Sequence, residues 1–146
     1  MRTFSKLLLL AVLLNVIRYV LGFPIEAFLI FDGMAESMLS SSAYFKNDFL
    51  ASDWAASYFY NFMMWFVCVW LFHIARPDLR GSDLLKSVRL FGILFLFFAS
   101  VSAIYMNHYS HPKEFYYYSI ADGLIVFAIV GAANGILYKY FFKNKI

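Results

Sequence analysis

Apolar residues run almost unbroken through four stretches of the chain, and polar residues collect between them. The stretches cover approximately residues 7–30, 54–74, 88–105 and 118–142. At 1.5 Å per residue, about 20 helical residues cross a hydrocarbon layer roughly 30 Å thick. No period-2 alternation bounded by turns recurs, and only a closed barrel of strands would leave no edge in lipid. The pattern predicts an all-α membrane protein, a compact bundle of four transmembrane helices forming a single integral domain over residues 1–146.

Pro77 and Gly81 mark a short turn between the second and third spans. The connection between the first two, FDGMAESMLSSSAYFKNDFLASD, mixes apolar and polar positions. It predicts a short amphipathic helix lying on the outer surface or tucked over the bundle, with a lid over a pocket as the functional alternative. Ser40, Ser41 and Ser42 are read as ending that helix. MRTFSK before LLLLAVLLNVI resembles a signal peptide, but no Ala-x-Ala site follows and apolar character resumes to Phe31. A retained first helix is expected.

Composition agrees with lipid as the solvent. The 146 residues are 63% hydrophobic and 14% charged, against about 25% charged in soluble domains. Eighteen Phe and eleven Tyr exceed what one small water-soluble core would hide. The net charge of +3 comes from residues scattered at span ends, with no interleaved basic face, so nucleic acid is not an expected partner. The single cysteine, Cys68, excludes an intrachain disulfide and a CxxC pair, and its apolar setting marks a packing thiol.

Charge also orients the spans. Arg2, Lys6, Arg76, Arg80, Lys86, Arg89, Lys139, Lys143 and Lys145 fall on one side of a four-span protein, with only Lys46 and Lys113 opposite. The positive-inside rule then puts both termini in the cytoplasm. Tyr44, Phe45, Trp54, Tyr58 and Tyr60, and the run Phe115–Tyr118, form an interfacial belt at the other face.

Polar residues inside the spans are the candidates for function, because ionised groups at membrane depth are costly. In the first span Asn15, Arg18, Gly22 and Glu26 fall within an arc of about 80° on a helical wheel. Pro24 predicts a kink near Val20. Arg18 and Glu26 lie about 12 Å apart along a regular axis, too far for a neat bridge without that kink. Asp122, near the same end of the fourth span, is the expected partner for Glu26. If the two carboxylates meet, they can share a proton; if Arg18 reaches between them, an ion network results.

The second span carries a stripe of Asp53, Ser57, Tyr60, Asn61, Met64 and Cys68. Asp53 serves as an N-cap or a site carboxylate, and Asn61 as a bridge between helices. Trp65 and Trp70 are expected against lipid or neighbouring helices. Gly92, Ala99 and Ala103 offer a close-contact face on the third span. On the fourth, Ala128/Ala132 and Gly131/Gly135 lie on a different side from Asp122, so that helix is either central or touches a second chain. The candidate intramembrane network is therefore Asn15, Arg18, Glu26, Asn61 and Asp122, with Asp53, His108 and His111 as secondary candidates. Two histidines without a fixed third ligand do not predict a metal site, and His73 and His108 sit at depths that argue against a haem between them. No cofactor is specified.

The segment YSIADGLIVFAIV resembles the late Asn-x-x-Asp region of lipoprotein signal peptidases, with Asp122 matching their second catalytic aspartate. Ser119 stands where that family has asparagine, and the upstream Gly-Asn-x-x-Asp-Arg motif is missing, so the assignment is rejected. The leading expectation is an accessory or structural subunit of a membrane assembly, in a bacterial inner membrane, with lipids, further copies or other subunits as partners. A lipid-handling or hydrolytic enzyme with carboxylates near the outer interface is the first alternative. A small proton-coupled transporter working as an oligomer is the second.

Overall fold

The computed structural model describes residues 2–46 and 48–142. Lys143 and Lys145, two of the basic positions used for orientation, lie outside them. The first span is a continuous rod made of α1 (Thr3–Ile17), a π-helical turn (Arg18–Gly22) and α2 (Phe23–Leu29). The short helix α3 (Phe31–Leu39) and a 3-10 turn (Ser42–Tyr44) follow, then α4 (Ala51–Ala75), α5 (Asp83–His108) and α6 (Lys113–Phe141). Four helical segments, Thr3–Leu29, Ala51–Ala75, Asp83–His108 and Lys113–Phe141, are long and apolar enough to cross a membrane. The chain is an all-α membrane bundle.

All four helices start before their apolar runs, because hydropathy marks the hydrocarbon while helical hydrogen bonding continues into polar turns. Ser82 caps α5, its hydroxyl accepting the Leu85 N–H at 3.3 Å. Asp53 reaches back from the first turn of α4 to accept the Leu50 N–H at 2.8 Å. The cap of α4 is thus Leu50, with Asp53 three residues inside it rather than at the cap itself.

Helix α6 is central, touching α5, α1, α3 and the π-turn. Its glycine face is used within the chain. A Cβ on Gly135 would lie 2.5 Å from the Leu84 Cα, and one on Gly131 would lie 2.8 Å from the Phe91 Cβ. Two backbones come this close only because neither glycine has a side chain. Ser87 fixes the seam: its hydroxyl donates to the Gly131 carbonyl at 2.7 Å and accepts from the Asn134 amide at 2.9 Å, all out of contact with lipid. The contact that the sequence allowed to a second chain is taken by α5. Gly92, by contrast, has nothing within 4 Å of where its Cβ would sit, and Ala103 is exposed, so the expected small-residue face of the third span looks outward.

Ser87→Ala should leave the Gly131 carbonyl without its donor and the Asn134 amide without its acceptor. A loss of about 1–3 kcal/mol is expected in detergent-micelle unfolding, while Ser100→Ala, whose exposed hydroxyl bonds only its own helix, should change little.

Leu7, Leu10 and Leu14 of α1 pack with Trp65, Val69 and Phe72 of α4, and with Phe91 and Val130. Trp65 lies in this core, parallel to Phe91 and edge-on to Phe127, whereas Trp70 is half exposed. At the α4–α5 turn, Arg76 grips the Asp83 carboxylate through Nε at 2.7 Å and Nη2 at 3.1 Å, a two-point bond that holds the guanidinium above its usual pKa range. His73 reaches the Tyr138 hydroxyl at 2.5 Å and ties α4 to α6. At the opposite end, Tyr44 and Phe45 pack on His111, and Phe45 also on Phe115, pinning the 3-10 turn to the α5–α6 connection.

Candidate functional site

The charge cluster of the first span depends on a helix defect. Arg18 and Glu26 are eight residues apart, and a regular helix would place them about 80° out of line. The π-turn inserts one extra residue into the winding. Their effective separation becomes that of seven residues, about two turns, and the two side chains meet on one face. Arg18 Nη2 donates to Glu26 Oε2 at 3.1 Å. The expected distortion near Val20 is therefore present, as a π-turn just ahead of Pro24, whose missing N–H breaks the hydrogen-bond ladder of the continuous rod.

Glu26 is 1% exposed. Its carboxylate lies over Gly22, where a Cβ would come 2.8 Å from Oε1. The glycine is thus the space that the carboxylate occupies. The Arg18 guanidinium also stacks over the Tyr19 ring at 4.5 Å, and Tyr19 meets Tyr58 of α4 edge-on. Asp122 faces this pair from α6, within electrostatic reach of Arg18 and Glu26. Three polar atoms here are buried without a hydrogen-bond partner among the described residues: Arg18 Nε, Glu26 Oε1 and Asp122 Oδ1. One guanidinium faces two carboxyl groups, and a single proton on either carboxyl balances the formal charge.

The other candidates are placed elsewhere. Asn15 turns back to donate to the Ala11 carbonyl at 3.0 Å, and Asn61 accepts from the Trp65 indole N–H at 2.7 Å. Each is satisfied on its own helix, so neither joins the network, and Asn61 is not an interhelical bridge. Asp53 pairs with Lys46 at 2.5 Å besides closing the α4 turn. His108 bonds the Ile104 carbonyl and His111 the Tyr116 hydroxyl. Among the described residues, no group of three His, Cys, Asp or Glu side chains could hold a metal ion.

A second feature has no charge at all. Helix α5 is drawn to α6 by the glycine seam and α4 is drawn to α1, so α4 and α5 barely touch. Between them runs an apolar groove of about 560 Å³. Tyr60, Met64 and Cys68 form one wall, Leu94 and Phe98 the other, and Phe127 of α6 the floor. Tyr60, Met64 and Cys68 belong to the polar and soft stripe visible in the second span. What the sequence hid was the missing partner opposite them. Ser87 and Asn134 also went unnoticed as a buried pair. Their signal was a serine and an asparagine inside otherwise apolar runs.

No family model, curated protein or solved structure matches this chain.

Proposed function

We propose that this protein is an accessory membrane protein that holds a lipid acyl chain in the groove between α4 and α5. The observation that carries this is the position of the groove. Its walls, residues 60–71 and 94–101, occupy the middle of two membrane spans, and no charged side chain lines it. Acyl chains are the solvent at that depth. The volume lies within the range of about 300–1,000 Å³ typical of ligand pockets, and spaces between helices of a bundle are a common place for them. Met63 and Met64, unbranched and soft, suit an occupant of variable shape. In this proposal the protein sits in a bacterial plasma membrane with both termini in the cytoplasm, and the Arg18–Glu26 pair holds the fold rather than a substrate.

Reconstitution with a phospholipid carrying a photoreactive diazirine in its acyl chain tests the proposal. Adducts should concentrate on residues 60–71 and 94–101, above those on Ile93 and Leu96, which are exposed on α5 outside the groove. Val101→Trp should fill the groove and remove these adducts without affecting the others. Even labelling over all exposed faces would overturn it. So would a second protein chain cross-linked through a photoreactive residue at position 97, since a partner helix would then be the occupant.

A further inference from the structure

A separate pocket of about 240 Å³, with polar side chains in its lining, lies between α3 and the start of α6. Glu36, Ser37 and Ser40 line it from α3 and the residue that follows, and Glu114 and Tyr118 from α6. The two acidic residues line it from different helices. The three ion pairs among the described residues engage other carboxylates, leaving Glu36 and Glu114 for an outside cation. Ser37 is only 7% exposed, and its hydroxyl has no hydrogen-bond partner among the described residues. Ser40 bonds the Ser37 carbonyl at 2.9 Å and leaves that hydroxyl unanswered. The Tyr118 ring packs directly on Gly33, where any Cβ would strike it, and so forms a fixed aromatic wall. Lys113 is next to Glu114 in sequence, but adjacent helical residues do not face each other.

We propose that this pocket binds a primary ammonium group, presented either by an aminophospholipid headgroup or by a free amine. An ammonium brings one positive charge and three N–H donors. Two carboxylates more than offset the charge and accept two of those bonds, the Ser37 hydroxyl accepts the third, and the Tyr118 side chain closes the site. A quaternary ammonium supplies the charge without the donors, so it leaves Ser37 unsatisfied and should bind less well. The pocket lies at the end of the bundle that carries the α5–α6 aromatic residues, the depth of lipid headgroups.

The test uses the full chain in nanodiscs and in mild detergent. Native mass spectrometry compares retained phosphatidylethanolamine with phosphatidylcholine, and free ethanolamine is titrated by NMR of the 15N-labelled amine. Phosphatidylethanolamine should be retained roughly tenfold or more over phosphatidylcholine, and Glu36→Gln or Glu114→Gln should each reduce that preference by roughly tenfold, as expected for one charge-assisted hydrogen bond. Ser37→Ala should lower the preference for the primary amine without weakening phosphatidylcholine. Binding of the phospholipid alone identifies a headgroup site, and binding of ethanolamine in lipid-free detergent identifies a free-amine site; both support the ammonium assignment. Equal retention of the two lipids with no ethanolamine binding overturns it, as does an unchanged preference in the Glu36→Gln/Glu114→Gln double variant. Both variants alter exposed side chains, and a native circular-dichroism spectrum and melting profile confirm that the folded protein is being compared.

Discussion

Arg18→Leu should destabilise the bundle by about 3–5 kcal/mol, because it strands the Glu26 carboxylate in a site where water does not reach it. The expected recovery is as informative as the loss. An Arg18→Leu/Glu26→Met double variant removes both charges and keeps comparable volume, and should recover a large part of the loss; with Asp122→Asn added it should return to within about 1 kcal/mol of the parent or exceed it. Unfolding in mixed micelles, followed by circular dichroism, measures both. Adding Asp122→Asn to Arg18→Leu should also recover part of the loss, since Asp122 is the second carboxyl facing the guanidinium. If Arg18→Leu unfolds like the parent and Glu26 becomes no more accessible to carbodiimide, the pair contributes nothing to folding.

Gly135→Leu should be the other severe change. The obstruction is not a movable side chain: even a Cβ would fall 2.5 Å from the Leu84 Cα and 2.9 Å from the Asp83 carbonyl oxygen. Helices α5 and α6 must move apart, and the Ser87–Gly131 and Asn134–Ser87 hydrogen bonds lengthen with them. Overpacking costs about 1–3 kcal/mol in well-packed cores, and the lost buried bonds add to it, so misfolding during expression is the expected outcome. Gly135→Ala should be folded but measurably weaker. Ile136→Leu, on the exposed side of the same turn, should stay within about 0.5 kcal/mol. A fully stable Gly135→Leu would mean that α5 and α6 are not held backbone to backbone.

The hydropathy pattern gave away the spans because a 20-residue apolar run has few other uses. It also revealed Arg18, Glu26 and Asp122, since charge at that depth stands out against lipid-compatible neighbours. Asn15 and Asn61 misled for a physical reason. An amide in a helix can satisfy itself on the preceding turn or on a nearby indole, and the wheel shows direction but not partner. The glycine face of α6 was legible as a close contact, yet sequence does not say whether the opposing backbone belongs to the same chain. The groove was the least visible feature. It is a space, produced by two other helix pairs being tight, and no residue lining it is unusual for a membrane span.

The π-turn has a consequence for the sorting of the whole first rod. In α1 the inward positions are Leu7, Leu10, Ala11 and Leu14. Continued in unbroken phase, that face would carry Leu21 and Ile25 into the bundle. Both are instead exposed, while Gly22 and Glu26 are inside. The extra residue slips the phase by about 100° and exchanges an aliphatic pair for a glycine and an acid on the buried side. Winding the same residues as an unbroken α-helix would return the aliphatic pair to the interior, whereas removing one residue between Arg18 and Gly22 would close the turn as α-helix and keep Gly22 and Glu26 on the buried side. The burial of the acid therefore follows from how one turn is wound: in the unbroken helix Glu26 would turn outward to the bilayer and leave Arg18 and Asp122 behind in the interior.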